Sequence, residues 1–158
     1  MPTFTYCFDV RAPLDVVWRF HDDPHMLPRV MRGPVQVRVV HVDQPMQPGS
    51  RISLVMQVGP ARRRWNLRLR ERQPPTRFTD EQIPGQGPFA VWSHTHTFQA
   101  LDDTRSRICD TVTYELPFGA PGRWAGHLFG NVVMRWMFAS RERATRRVLE
   151  SGEMVEAR

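Results

Sequence analysis

The chain has 158 residues, 41% of them hydrophobic, and a formal net charge of +6. That length supports one domain with a core of its own, and no run of eighteen apolar residues is present to span a membrane. The charge rests on arginine, spread over strand-like segments and the C-terminal part without a helix-turn-helix, zinc-finger or RNA-binding signature, so a solvated basic surface is expected and no nucleic-acid partner.

Thr3–Val10 alternates as a first strand, with Phe4, Tyr6 and Phe8 on one face. These residues lack the charged-then-apolar order of a secretory leader, so a cytoplasmic location is expected. Pro13 opens a short helix through Val16, Val17, Trp18 and Phe20, with Asp15 favourably placed in the first turn. Asp22-Asp23-Pro24 breaks it. A second helical turn then begins with Asp23 as cap and Pro24 at its first position.

Six strands follow, over residues 35–42, 51–58, 64–71, 77–83, 88–99 and 105–116, separated by Pro/Gly turns. The last two links are short enough for antiparallel neighbours. Residues 121–150 read as one long helix, with Ala125, Leu128, Phe129, Val132, Val133, Trp136, Met137 and Ala144 on its apolar stripe and Gly152 as terminator. The predicted class is therefore α+β: a curved seven-stranded antiparallel sheet around a long C-terminal helix, with two short helices after strand one. Cys7 and Cys109 form no close ligand pair and read as free thiols, a disulfide being the open alternative.

The sixth strand carries the chemistry. Trp92, His94, His96 and Phe98 share one face; Phe78, Asp80 and Gln82 share a face of the fifth strand; Ile108, Asp110, Val112 and Tyr114 share a face of the seventh. If these faces coincide, two imidazoles and two carboxylates lie among aromatic rings, where charge must be paired or hydrogen-bonded. Three readings compete. The set could be a structural network that holds register. It could orient a molecule bound against a cavity wall. Or His94 or His96 could move a proton with Asp80 or Asp110 as partner, which makes these four the catalytic candidates. Two-histidine metal ligation with Asp80 or Asp110 is a weaker reading, because aromatics on both sides favour packing. No metal and no cofactor is expected. Gly126 and Gly130, four apart in the long helix, mark either close approach of helix and sheet or space left for a ligand. No phosphate-binding glycine loop, GxSxG elbow, HExxH or CxxC is present.

Several stretches resemble a known family. Phe8, Ala12-Pro13, Trp18 and Phe20, together with the order of elements and the closing helix, resemble the START-like, or SRPBCC, superfamily of helix-grip proteins. Phe78-Thr79-Asp80-Glu81-Gln82, Gly87-Pro88-Phe89-x-x-Trp92-x-His94-x-His96-x-Phe98 and Asp110-x-Val112-x-Tyr114-x-x-Pro117-Phe118-Gly119 resemble a bacterial polyketide cyclase/dehydrase-like, ligand-binding branch. The resemblance implies a deep cavity between sheet and C-terminal helix, but carries over no catalytic assignment. The expected function is binding of a hydrophobic or amphipathic small molecule in that cavity, with a hydrophobic or aromatic molecule as the partner, by a monomer or homodimer. The expected lining is Trp65, Leu67, Phe78, Asp80, Trp92, His94, His96, Phe98, Tyr114, Phe129, Val133 and Met137. The alternatives are a cyclase/dehydrase-like enzyme with a His/Asp acid–base pair, or an interaction module without a ligand.

Overall fold

The computed structural model describes residues 1–31 and 33–151, excepting the side chains at 123 and 125–129. The elements run β1 (Thr3–Val10), α1 (Leu14–Asp22), a 3-10 turn (Pro24–Met26), α2 (Leu27–Val30), β2 (Val35–Val42), β3 (Arg51–Val58), β4 (Ala61–Gln73), β5 (Arg77–Gln82), β6 (Val91–Ala100), β7 (Ser106–Glu115) and α3 (Gly119–Glu150). The seven strands form one antiparallel sheet in the order β1-β7-β6-β5-β4-β3-β2. Consecutive strands from β2 to β7 are neighbours, as short turns require, and β1 closes against β7. The valine alternation that slips after Val39 is a bulge, where pairing shifts between Val39 and His41. The Asp23 carboxylate caps the 3-10 turn by accepting from the His25 N–H at 2.9 Å.

Period-two alternation puts one apolar row of each strand inside. Two clusters result. One gathers Phe8, Val10, Val17, Phe20, Ile108 and Leu149 between the sheet, α1 and the end of α3. The other gathers Phe4, Leu54, Trp65, Trp92, Tyr114, Met134 and Phe138 between the sheet and the middle of α3. Each such side chain contributes about 1.5–3 kcal/mol on full burial. Polar ties fix the helices over these clusters. Arg72 grips Asp22 through two hydrogen bonds of 2.9 and 2.8 Å while its guanidinium lies 5.4 Å from the Trp18 ring. The Tyr6 hydroxyl donates to Glu142 on α3.

Two expectations need correction. First, α3 presents a different face. Met134, Phe138, Thr145, Val148 and Leu149 are buried, whereas Val132 is 70%, Val133 58% and Trp136 52% exposed. Gly130 helps to decide the rotation: a Cβ there would fall on the Tyr114 hydroxyl, so this side of the helix approaches the sheet. Gly130 thus marks close approach rather than vacant space. Gly126, Phe129 and the other stripe side chains at 125 and 128, with the Gly152 terminator, lie outside the described residues. Second, Cys7 and Cys109 are not free thiols. They sit directly opposite on β1 and β7 with Cα atoms 4.1 Å apart and form a disulfide. A separation of 102 residues hid a pairing that the strand order creates.

Candidate functional site

The Asp/His set forms where β5, β6 and β7 run side by side. Strand register places Asp80 opposite His94 and Asp110 opposite His96. All four are buried, Asp110 with 1% of its surface exposed and Asp80 with 8%. The polar contacts run diagonally across the rows. His94 Nε2 donates to Asp110 Oδ1 at 2.9 Å, and His96 Nε2 lies 3.6 Å from Asp80 Oδ2. His96 Nδ1 is 2.8 Å from the same Asp110 oxygen, close enough for an ion pair but out of line for a hydrogen bond. The two imidazole centroids are 3.9 Å apart. Phe78 stacks on His96 at 4.3 Å, and Phe138 meets His94 edge-on at 5.6 Å.

Opposed forces set the charges. Burial alone would raise the Asp110 pKa, but Arg141, His96 and His94 hold it well below the usual carboxylate range. Burial opposes charge on His96, yet Asp110 and Asp80 outweigh it and raise its pKa. Burial, followed by the neighbouring His96, pushes His94 down to about 4. His94 is therefore the neutral member at pH 7. With Nε2–H committed to Asp110, its Nδ1 carries the lone pair. A third imidazole stands nearby: His21 donates from Nδ1 to the Val17 carbonyl at 2.8 Å, and its ring centroid is 6.0 Å from that of His96. Burial, then His96, pushes His21 down to about 3.

Two lobes of a cavity meet at this set. One, of about 70 Å³, is bounded by Phe20, His21, Met26, Ile52, Leu69 and Phe78 among its lining. The other, of about 100 Å³, is bounded by Leu54, Trp65, Phe89, Trp92, His94, Met137 and Phe138 among its lining. Leu27, Leu67, Asp80, His96 and Arg141 line both. Of the residues expected to line a cavity, Trp65, Leu67, Phe78, Asp80, Trp92, His94, His96 and Met137 are on these walls. Asp110 stands behind the histidines. Phe98 packs edge-on against Trp18 in the core, and Tyr114 is buried against Gly130, so neither lines a lobe. Val133 points outwards with 58% exposure, which removes it from the lining, and the Phe129 side chain is outside the described residues.

Sequence reasoning missed His21, Phe89, Phe138 and Arg141. Arg141 is the informative omission. It makes no ion pair among the described residues, and its guanidinium lies 5.8 Å from the Phe138 ring. Its spacing of three from Phe138 and four from Met137 was the available signal that these residues share a helix face. Asp80, His94 and His96 also bring donor atoms within 4.8 Å of one another. A divalent ion there would face the Arg141 charge and would have to displace a proton that Asp110 and Asp80 favour on His96. The arrangement suits hydrogen bonding and proton transfer better.

Residues 10–140 match the family model for polyketide cyclase/dehydrase and lipid transport. No curated protein matches the chain. Among solved structures, the chain is similar to TTHA0849 from Thermus thermophilus, at 20% identity and a TM-score of 0.71 over 96% of this chain and 99% of that one. It is similar to protein Ms6760 from Mycobacterium smegmatis, at 20% identity and a TM-score of 0.70 over 94% and 91%. It is also similar to the Zhui aromatase/cyclase from Streptomyces sp. R1128, at 17% identity and a TM-score of 0.67 over 96% and 98%. At these identities the likeness is one of fold.

Proposed function

The chain belongs to the polyketide cyclase/dehydrase and lipid transport family, and from that premise we propose that it binds a small hydrophobic or aromatic molecule between the sheet and α3. One observation carries this reading: Asp80, His96 and Arg141 line both apolar lobes, so charged groups meet in the wall of an otherwise apolar cavity. A core built for packing alone does better with apolar side chains of similar volume than with buried charges. A ligand-orienting wall needs a few polar groups among aromatics, as found here. The lobes are smaller than the roughly 300–1,000 Å³ of pockets for drug-sized ligands, which favours a small occupant. Native mass spectrometry after mild purification, together with titration by aromatic and fatty-acid probes, tests the reading. No copurifying molecule and no saturable uptake of any probe would overturn it.

A second reading has its own observation. His94 is neutral at pH 7, is hydrogen-bonded to Asp110 and lines the larger lobe, so it has a lone pair to accept a proton, as a base weakened by a pKa of about 4. In this reading the protein is a cyclase/dehydrase-like enzyme in which His94 accepts a proton from the bound molecule and Asp110 stabilises the imidazolium formed. Retained turnover of an identified substrate by His94→Gln would exclude that role while leaving binding intact.

A further inference from the structure

Two residues that line the larger lobe carry buried donors without a hydrogen-bond partner. The indole N–H groups of Trp65 and Trp92 are buried and unpartnered, and both residues line this lobe. Their residues are 7% and 5% exposed, so bulk water does not serve them. Arg141, without an ion pair among the described residues, adds a third donor on the same wall. Buried donors without acceptors are costly in a folded protein and are normally satisfied. The missing partner is an acceptor, and the lobe that both side chains line is adjoining space that can hold one.

Size and charge narrow its chemistry. A volume of about 100 Å³ is on the scale of the ~150 Å³ cavities that hold one benzene ring. Phe89 and the two indoles supply aromatic contact: the Phe89 centroid is 5.8 Å from Trp65 and 4.6 Å from Trp92. Asp80 and Arg141 line the same space, so a carboxylate ligand there would share it with the Asp80 carboxyl group as well as with the guanidinium. A neutral oxygen brings no charge into it. Resting on the cavity-binding reading above, we infer that this lobe selects a single-ring aromatic molecule with a neutral hydrogen-bond-accepting oxygen, and that Trp65 and Trp92 are the residues that select it.

The test compares acetophenone with ethylbenzene, which has nearly the same shape but no acceptor, by calorimetry on the full chain. Acetophenone should bind about 10–100-fold more tightly, as expected when a buried donor gains a partner. The preference should shrink to within about threefold in the Trp65→Phe/Trp92→Phe double variant, with single variants intermediate and folding checked by circular dichroism. Indole N–H resonances provide a readout in the unaltered chain: those of Trp65 and Trp92 should shift with acetophenone and much less with ethylbenzene. 2-Acetylnaphthalene, one ring larger, should bind at least about tenfold more weakly than acetophenone. Equal affinity for acetophenone and ethylbenzene would overturn the inference while leaving the cavity reading intact, since the indole N–H groups would then need no acceptor from the ligand. Equal binding of the naphthyl ketone would overturn the single-ring limit. Binding of none of the three would count against the cavity reading as well.

Discussion

His96 and Asp110 are direct cross-strand partners on β6 and β7, yet the in-line hydrogen bond to the Asp110 carboxylate comes from His94, one row away. One buried carboxylate therefore lies within 2.9 Å of both rings. Asp110→Ala should cost about 3 kcal/mol or more, the usual penalty for orphaning one member of a buried pair. Urea denaturation at pH 7 measures it; a loss under about 1 kcal/mol would show that the histidines do not need this partner.

Acid should weaken the fold in two stages. His94 and His21 have folded-state pKa values pushed to about 4 and about 3, below the ordinary 6.5. The unfolded chain binds these protons first, so stability is full above pH 6.5 and falls as the pH drops toward 4. The slope has a ceiling of about 1.4 kcal/mol per pH unit for each histidine. Asp110, held well below 3.8, adds a further loss below that value. His96 acts oppositely: its raised pKa gives stability that is present below 6.5 and lost as the pH rises through its folded value. Urea midpoints between pH 4.5 and 7.5 should show the first slope, and His21→Phe should flatten part of it. A flat profile would contradict the lowered pKa values of His94 and His21.

Gly130→Ala should destabilise the protein although alanine is the better helix former by about 1 kcal/mol. The new methyl would collide with the Tyr114 hydroxyl. We expect a net loss of about 1–3 kcal/mol. Combined with Tyr114→Phe, the penalty should be smaller than the sum of the two single changes, because the colliding atom is gone. Strict additivity in a double-mutant cycle would argue against the contact.

The rotation of α3 can be read by paired substitutions. Met134→Ala should cost about 2–5 kcal/mol as a core truncation. Val132→Ser, at a position 70% exposed, should stay within about 0.5 kcal/mol of the parent. The reverse ranking in thermal melts would mean that the helix presents its other side to the sheet.

Much of the architecture was legible in the amino-acid order because strands have a period of two and the turns are marked by proline and glycine. That pattern put Trp92, His94, His96 and Phe98 on one face, and antiparallel pairing then made their meeting with Asp80 and Asp110 a matter of register. The helix was harder. Apolar residues lie on both sides of α3, and periodicity cannot say which side a sheet will cover. The rotation follows from contacts remote in sequence, among them Tyr114 against Gly130 and Tyr6 to Glu142. Arg141 escapes the pattern for the same reason: a stripe drawn through Val132, Val133 and Trp136 gives an arginine no part in the covered face. The unpartnered indoles of Trp65 and Trp92 could not have been found from sequence, since hydrogen-bond satisfaction exists only in three dimensions.

The bridge from Cys7 to Cys109 also shapes how the molecule comes apart. It fastens the sheet's first strand to its last and encloses most of the chain in one covalent loop. A protease that cuts once inside that loop cannot release either piece. The nicked protein would migrate as a single species until reductant is added, then separate into two. Nor can β1 leave its own sheet to complete a neighbouring molecule while the bridge stands. Exchange of terminal strands between copies, a common route to tangled dimers, is closed to the oxidised chain and open to the reduced one.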